Sequence, residues 1–308
     1  MIRVLAIGEC MIELTHREAD VLSLGCAGDT FNTATYLSRL TGSAELQVDY
    51  LTLVGDDHYS DRIVAAMRAE GVGTDRIGRV AGAQPGLYLV RTDEHGERSF
   101  TYYRSQSAAR GLFADGEPDF DGYDLVHLSA ISLQILAPPA RERLRAALRR
   151  FRDAGGRVSF DSNYRPAGWD GAAAAAEQVR ELWSLTTVGL PTFSDEQALF
   201  GDPTAESTVD RLRVAGVADV AVKDGAAGCV VLDGERVVRV PAVPVESVVD
   251  STAAGDAFDA GYLAARLTGA DPVAAAHRAQ ELAATVIRHR GAIVAESVLP
   301  RRSAAPVG

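Results

Sequence analysis

The sequence predicts an α/β fold, a three-layer α/β/α sandwich with a mostly parallel central sheet. Short apolar runs of strand length recur along the chain, turn residues bound them, and amphipathic stretches of helical period lie between most of them. Parallel strands that are covered by helices on both faces have this continuous apolar character. A chain of 308 residues with 47% hydrophobic composition can bury the core of such a sheet.

Six apolar runs have the length and composition of buried strands. They cover residues 2–8, 48–54, 124–129, 157–160, 186–190 and 219–223. The clearest helix covers residues 139–154, where Leu and Ala alternate with Arg to give one apolar face. The six runs and the helices between them predict one domain over residues 1–308.

A small β-sheet is expected to project from this body as a lid. Residues 86–92 and 98–104 are rich in Tyr, Leu and Val, and the polar residues 93–97 between them predict a β-hairpin. Residues 11–24 also lack a helical partner, so the lid segments are placed at about 11–24 and 84–105. Such a lid can cover a ligand and pair with a second copy of the chain in a homo-oligomer. The small polar tail 301–308 is expected to be disordered.

Charge and cysteine content narrow the possible partners and compartment. The 31 basic and 42 acidic residues give a net charge of −11, which disfavours nucleic acid and anionic membrane surfaces as partners. An anionic ligand would therefore need a local cluster of Arg or Lys. Three cysteines argue against a disulfide framework, and no apolar run approaches the ~18 residues of a membrane span. These features predict a cytoplasmic protein.

The strongest chemical signal lies in residues 250–261, which read DSTAAGDAFDAG. The small residues Ala253, Ala254 and Gly255 precede Asp256, and helical spacing continues to Gly269. The start of a helix leaves backbone N–H groups unpaired at the positive end of its dipole, and this arrangement favours phosphate binding. A carboxylate in the first turn could take a proton from a hydroxyl that attacks the phosphoryl group. The alternative is that Asp256 only caps the helix.

Polar side chains next to Gly28 and after the strand at 157–160 are further candidates. Asp29 and Asn32 lie one helical turn apart and can present acceptors and a donor to vicinal hydroxyls. The alternative for this pair is a helix cap at Asp29 and a solvated Asn32. Asn163 and Arg165 follow a strand, at the edge where open parallel sheets bind ligands.

These segments resemble motifs of the PfkB/ribokinase family of carbohydrate kinases. The block 250–256 is similar to the family's D-T-x-G-A-G-D, residues 27–32 to its Gly-Gly-Asp followed by Asn, residues 161–165 to D-x-N-x-R, and residues 223–228 to K-x-G-x-x-G. The departures are Ala27 and Ala253, where many members have Gly. The resemblance implies a ribokinase-like fold with a β-sheet lid, with Asp256 as the catalytic base.

The same resemblance implies ATP and Mg²⁺ as cofactors. It places Ala253, Ala254 and Gly255 in the anion hole and assigns further nucleotide contacts to Asn163, Arg165, Lys223, Gly225 and Gly228. A hairpin turn explains the two glycines of the 223–228 segment equally well. A monovalent cation is implied near Asp250 and Thr252. The Asn-x-x-Glu pair that organises Mg²⁺ in many members is replaced here by Ser194 and Gln197, so the carboxylates that steer Mg²⁺ are not identified.

The hairpin carries Tyr88, Tyr102, Tyr103 and Arg104, and Arg104 suits bidentate binding of a carboxylate. The alternative for the tyrosines is cross-strand packing. With the stretches GECMIEL, DSNYRP and RHRGAI, the hairpin resembles the 2-keto-3-deoxygluconate kinases over nearly the whole chain. That resemblance implies phosphorylation of the C6 hydroxyl of this sugar acid. The implied substrate shell is Gly28, Asp29, Asn32, Tyr88, Tyr102, Tyr103, Arg104, Arg165 and Asp256.

Two other functions stay open. One is a kinase of the same fold that acts on a neutral sugar such as fructose or ribose. The other is a sugar-binding protein that keeps the fold without turnover. A nicotinamide-binding Rossmann enzyme is disfavoured, because Gly8-Glu9-Cys10 after the first strand lacks the G-x-G-x-x-G pattern.

Overall fold

The computed structural model describes residues 1–18, 20–42, 44–92 and 98–300. Its strands are β1 (Ile2–Ile7), β2 (Met11–Glu18), β3 (Val21–Ala27), β4 (Leu46–Val54), β5 (Ile77–Arg79), β6 (Leu87–Thr92), β7 (Arg98–Tyr103), β8 (Leu125–Ser129), β9 (Arg157–Asp161), β10 (Val188–Gly189), β11 (Asp219–Lys223), β12 (Cys229–Asp233) and β13 (Arg236–Val240). The polar loop predicted at 93–97 and the tail predicted to be disordered at 301–308 lie outside the described residues.

The helices lie between the strands in the predicted alternation. They are α1 (Asp29–Leu40), α2 (His58–Ala69), α3 (Ala130–Gln134), α4 (Pro138–Asp153), α5 (Ala172–Trp183), α6 (Phe193–Phe200), α7 (Ala205–Val214), α8 (Ala254–Leu267) and α9 (Pro272–Val286). Among these described helices, none is both long and apolar enough to cross a bilayer.

The large sheet has the spatial order β13-β12-β11-β10-β9-β8-β1-β4-β5. Its pairs are parallel from β11 to β5, and β12 and β13 add an antiparallel edge. Alternate residues of β1 enter two separate cores, since Val4 and Ala6 pack with α1, α2, α8 and α9 while Leu5 and Ile7 pack with α4, α5 and α7. The predicted α/β sandwich with a mostly parallel sheet is confirmed.

The second sheet has the order β3-β2-β6-β7. Strands β2 and β3 are antiparallel, β2 and β6 are parallel, and β6 and β7 form a hairpin in which Tyr88 faces Tyr102. Because side chains alternate between the two faces of a strand, Tyr88 and Tyr102 share one face while Leu87 and Tyr103 share the other.

Strand β10 is shorter than the run predicted at 186–190. The N–H of Thr186 still bonds to the carbonyl of Trp183 in the turn that leaves α5. Pro191 has no N–H with which to extend the pairing. The strand itself is Val188–Gly189, between β9 and β11, and single backbone hydrogen bonds of Thr187 and Leu190 to β9 continue the pairing on either side.

Candidate active site

A cavity of about 920 Å³ lies between the large sheet and the small sheet. It opens where β1 and β9 end, at the carboxyl edge of the parallel sheet, and the first turns of α1 and α8 contribute to its wall. Most of the residues singled out in the sequence line it, namely Gly28, Asp29, Asn32, Tyr88, Tyr102, Arg104, Asn163, Arg165, Asp250, Thr252, Ala253, Ala254, Gly255 and Asp256. Tyr103, Lys223, Gly225 and Gly228 do not.

The start of α8 is a turn with backbone N–H groups that are unpaired among the residues that the structure describes. Ala253 precedes the helix with φ 60° and ψ 16°, in the left-handed region, and no side chain caps the helix. The N–H of Ala254 bonds to the carbonyl of Ser251 at 3.2 Å. Within the described part of the chain, the N–H groups of Ala253, Gly255 and Asp256 have no acceptor. These donors face the cavity at the positive end of the helix, so the turn can bind a phosphoryl group.

Asp256 lies in the first turn of α8 and faces the cavity. Its Oδ2 accepts a hydrogen bond from the Asn32 amide at 2.8 Å, and its carbonyl accepts one from the Thr33 hydroxyl at 3.3 Å. Burial and, after it, the nearby Asp29 carboxylate raise the pKa of Asp256 to about 7, although the Asn32 hydrogen bond opposes this shift. A carboxyl group with a pKa near neutrality can exchange a proton with a hydroxyl group.

Asp29 and Asn32 are both built into the cavity wall. Gly28 is the N-cap of α1, and the Asp29 side chain caps no helical N–H. The Asp29 carboxylate instead accepts hydrogen bonds from the Ser129 hydroxyl and from the Asn163 amide, the latter at 2.9 Å. Asn32 is only 4% exposed. The alternative of a capping Asp29 and a solvated Asn32 is therefore wrong.

Arg104 is paired with a carboxylate that the sequence analysis did not assign. Its guanidinium binds Glu9 through Nε at 2.8 Å and through Nη2. Glu9 is 2% exposed, and its Oε1 has no partner among the described residues. A Cβ on Gly86 would lie 2.6 Å from that oxygen, so any larger residue there would displace the carboxylate from this position. The sequence signal that could have identified Glu9 is its position as an acidic residue in the loop that follows β1.

The aromatic residues of the hairpin divide between the two faces of the small sheet. Tyr88, Phe100 and Tyr102 form a cluster that lines the cavity, with ring centroids 5.7–6.3 Å apart. Tyr88 donates a hydrogen bond to Glu13. Tyr103 lies on the opposite face and is 63% exposed. The strand alternation thus separates Tyr103 from the cavity and from the other members of the predicted substrate shell.

The segment 223–228 does not reach the cavity. Lys223 is buried between Asp161 and Asp259, at 2.9 and 2.7 Å. Gly225 and Gly228 have φ 54° and 95°, and a Cβ on Gly228 would lie 2.1 Å from the carbonyl oxygen of Val240. The glycines therefore serve the turn that joins β11 to β12, as the alternative interpretation of this segment proposed.

The loop after β9 presents Asn163 and Arg165. Asn163 has φ 26°, and its N–H bonds to the Asp161 carboxylate at 3.1 Å. Arg165 donates to the neighbouring carbonyl of Tyr164 at 3.0 Å and lines the cavity. Arg104 and Arg165 thus give the cavity two cationic groups in an acidic protein.

The acidic residues at the other end of the cavity do not form a dense metal cluster. Ser194 and Asp195 line the cavity, whereas Glu196 is fully buried and paired with Arg211. Asp250 accepts the N–H of Gly291 at 2.6 Å. In the part of the chain that is described, no group of three or more His, Cys, Asp or Glu side chains is arranged to hold a metal ion.

Comparison with known proteins places this geometry in a family. The sequence model of the pfkB family carbohydrate kinases matches residues 1–298. The chain is 42% identical over 306 residues to a protein of Escherichia coli (strain K12) named 2-dehydro-3-deoxygluconokinase, covering 97% of this chain and 99% of that one. A protein of the same name from Dickeya dadantii (strain 3937) is 42% identical over 302 residues, covering 96% and 97%.

A solved structure gives the same result for the fold. The aminoimidazole riboside kinase from Salmonella enterica, complexed with aminoimidazole riboside and an ATP analog, matches with a TM-score of 0.82 and 25% identity. The match covers 96% of this chain and 96% of that one. The chain, with a carboxylate and an uncapped helix start facing one cavity, belongs to the pfkB family of carbohydrate kinases.

Proposed function

We propose that this chain transfers the γ-phosphoryl group of ATP to the C6 hydroxyl of 2-keto-3-deoxy-D-gluconate, giving 2-keto-3-deoxy-6-phosphogluconate and ADP. One observation carries the proposal: Asp256 and the unpaired N–H groups of α8 face the same cavity as Arg104 and Arg165. The first pair of features suits phosphoryl transfer, and the two guanidinium groups suit a sugar that carries a carboxylate. The two similar proteins with the name 2-dehydro-3-deoxygluconokinase support this substrate.

Asp256 is the base in this mechanism. Its carboxylate takes the proton of the C6 hydroxyl as the oxygen attacks phosphorus and the bond to the ADP oxygen breaks. The Asn32 amide holds Oδ2 of Asp256 at 2.8 Å, so Oδ1 remains to accept the proton. The N–H groups at the start of α8 stabilise the charge that spreads over the transferred group.

The two ends of the substrate meet different parts of the cavity. Arg104 and Arg165 bind the keto-acid end, with Tyr88 and Tyr102 of the small sheet packed beside it. Asp29 binds the hydroxyls near the start of α1. Binding at both ends orients the C6 hydroxyl toward Asp256, which lowers the entropic part of the barrier.

The chain's own residues fit ATP with its Mg²⁺. Among the described residues, no long side chain blocks the part of the cavity at the start of α8 where the phosphates would bind, because the residues there are Ala253, Ala254 and Gly255. Asn163 lines the same cavity. Asp195 is the acidic group that lines the cavity beside Ser194, so it fits a role in holding the waters of Mg²⁺. When bound, Mg²⁺ neutralises phosphate charge. The proposal also places a monovalent cation near Asp250 and Thr252. Comparing the rate of ADP release in K⁺ with the rate in tetramethylammonium tests this site.

A panel of sugars and sugar acids, assayed for ADP release with Mg·ATP, tests substrate and reaction together. We expect turnover with 2-keto-3-deoxygluconate and far lower kcat/KM with fructose, ribose and gluconate. Phosphorus NMR of the product identifies the phosphorylated oxygen. A panel without ADP release would favour a sugar-binding protein without turnover and refute the proposal.

A neutral-sugar kinase is the second candidate, and one observation favours it. Glu9 neutralises Arg104 by direct contact, so this guanidinium attracts a carboxylate less than a free one would. Preference for fructose in the same panel would identify this alternative. Arg165, which lacks an acidic partner among the described salt bridges, is the reason to prefer the acid.

The proposal treats residues 1–308 as a single kinase domain. In that domain the small sheet acts as a lid over the cavity, and its outer face is a surface for association with a second copy of the chain. Leu22 and Tyr103 lie on its face away from the cavity and are 40% and 63% exposed. Apolar side chains on such a face favour pairing with a second copy. The molar mass from light scattering tests this assembly in the Leu22→Arg variant. Val214→Arg is the control, because Val214 is also apolar and is 86% exposed.

A further inference from the structure

A buried ion triad lies behind the first turn of α8. The ammonium of Lys223 contacts the carboxylates of Asp161 and Asp259 at 2.9 and 2.7 Å. The three side chains are 8%, 6% and 1% exposed, respectively. Burying such charges costs desolvation free energy that the ion pairs only partly return. Stability alone is therefore a weak reason for this chain to keep them.

The triad joins three elements that carry the proposed site. Asp161 ends β9, Lys223 ends β11, and Asp259 lies one turn after Asp256 on α8. A Cβ built on Gly255 would lie 3.6 Å from the Lys223 Nζ, so the ammonium lies close beneath the helix start. The two ion pairs thus fix the first turns of α8 against the carboxyl ends of both strands.

A chain of hydrogen bonds continues from the triad to α1. Asp161 accepts the N–H of Asn163 at 3.1 Å, and the Asn163 amide donates to Asp29 at 2.9 Å. Asn163 has φ 26°, a strained conformation for a residue other than glycine. Contacts of this kind are what hold a strained residue in place, so the triad also sets where Asn163 and Asp29 lie.

The triad also sets the electrostatic surroundings of Asp256. Asp29 and Asp161 raise the pKa of Asp256, and Lys223 opposes them. Asp259 on the same helix interacts with Asp256 as a further like charge, and Lys223 in turn holds a raised pKa because its two carboxylates outweigh the effect of burial. The titratable and charged groups that face Asp256 are Asp29 and Tyr36 from α1, Asp161 from β9, Lys223 from β11 and Asp259 from α8.

We propose that the Asp161–Lys223–Asp259 triad positions the first turn of α8 for phosphoryl transfer and that its members are positioning residues of this kinase. The inference rests on the proposed role of Asp256 and the α8 start. Lys223 therefore has a positioning role in place of the nucleotide contact that the sequence pattern assigned to it. The reason is that Lys223 lies beneath the helix and not in the cavity wall.

Two substitutions of Asp259 separate positioning from charge. Asp259→Ala removes the anchor of α8, and we expect kcat to fall by about 10-fold or more while KM for ATP and sugar changes by less than about threefold. Asp259→Asn keeps an oxygen that accepts from Lys223, so it should restore most of kcat. Both are measured by ADP release with the best substrate of the panel.

The pH profile gives a readout that a merely structural role would not move. Asp259→Asn leaves Lys223 with one carboxylate fewer, so the ammonium acts more strongly on Asp256 and lowers the pKa of that carboxyl. The base therefore stays ionised to lower pH. We expect the acid limb of kcat/KM to move down by about half a pH unit to one unit.

Asp219→Asn is the matched control, because Asp219 starts β11 and binds Tyr262 and Arg266 at the far end of α8. It should lower the melting temperature and leave the acid limb unchanged. If the wild type is active, either of two results would refute the triad's role. One is full kcat in Asp259→Ala, and the other is the same acid limb in Asp259→Asn and Asp219→Asn. An inactive wild type would instead refute the proposed function.

Discussion

At the residue scale, the proposed function makes catalytic turnover depend on Asp256. Asp256→Asn keeps the size of the side chain and its contact with Asn32 but cannot accept a proton. We expect kcat to fall by roughly 10³-fold, with substrate KM changed by only a few fold. Steady-state ADP release and calorimetric binding of the sugar measure the two effects. A variant with near-normal kcat would remove Asp256 as the base.

Glu9 changes how the role of Arg104 has to be tested. Arg104→Met alone leaves a 1% exposed carboxylate without its cation, which costs about 3–5 kcal/mol. The double variant Glu9→Gln/Arg104→Met removes both charges and should recover most of that loss in a denaturant titration. Its kcat/KM should fall for the sugar acid and stay nearly constant for any neutral sugar that the wild type accepts.

Equal losses for acid and neutral sugars in the double variant would show that Arg104 supports the cavity and does not select the substrate. Glu9→Gln is the matched control for this experiment. It keeps Arg104 and an acceptor oxygen beside it, so activity toward the acid should survive. Loss of that activity in Glu9→Gln would mean that Glu9 itself contacts the substrate.

The residue scale also shows what the sequence could and could not predict. Asp29 and Asp256 were identified because each follows small residues at the start of a helix, and Asn32 because it lies one helical turn after Asp29; the structure brings all three to one cavity. The sequence analysis missed Glu9, because its partner Arg104 is 95 residues away. Tyr103 was grouped with Tyr102, although adjacent residues of a strand face opposite sides.

At the element scale, α8 starts with an alanine in a left-handed conformation. Ala253 has φ 60°, which costs an alanine roughly 1 kcal/mol relative to glycine. We therefore expect Ala253→Gly to raise the free energy of unfolding by about this amount or slightly less. The reason is that glycine adopts this conformation without strain. Urea titration measures the change.

Ala254→Gly is the matched control for Ala253→Gly, because Ala254 is the first helical residue of α8. Glycine costs about 0.5–1 kcal/mol in a helix, so the control should lower stability. A destabilised Ala253→Gly, or equal signs for the two variants, would mean that the helix start does not hold the left-handed residue described here.

Elements that follow a simple periodic pattern were predictable, and short or edge elements were not. The helix predicted at 139–154 is Pro138–Asp153, and the strand predicted at 219–223 is Asp219–Lys223. Strands β12 and β13 were missed although Asp233, the last residue of β12, and Gly234, the first residue of the turn, form a hairpin signal. Strand β5 has three residues, too few for a period to be recognised.

At the scale of the whole molecule, the fold class followed from the alternation of strands and helices, while the site depended on where distant segments meet. Asp161, Lys223 and Asp259 come from three elements, and local sequence gave no reason to join them. Lys223 was assigned to the nucleotide because residues 223–228 resemble the K-x-G-x-x-G segment of the family. The sheet order instead places that Lys under α8.

Several carboxyl groups are buried with a raised pKa, which makes the stability of the whole chain depend on pH. Burial raises the pKa of Asp256 to about 7, and burial raises that of Glu196 to about 7 although Arg211 opposes it. Groups with raised pKa bind protons more tightly when folded, so the stability that Asp256 and Glu196 contribute is fully present below their unfolded pKa of about 4 and is lost as the pH rises from there through about 7.

Asp256→Asn tests this dependence apart from catalysis. The variant removes a carboxylate that costs folding free energy when ionised, so at pH 8 it should be more stable than the wild type by up to about 4 kcal/mol. At pH 5 the folded-state carboxyl is protonated but the unfolded-state carboxyl, with a pKa of about 4, is already ionised, so the difference should shrink to about 1–2 kcal/mol. Guanidinium titrations at the two pH values measure the difference in unfolding free energy. Asp61→Asn is the control, because the Asp61 side chain is 66% exposed. An Asp256→Asn variant that gains nothing at pH 8 would show that this carboxylate ionises without cost in the folded protein, and the acid limb of the reaction would then belong to another group.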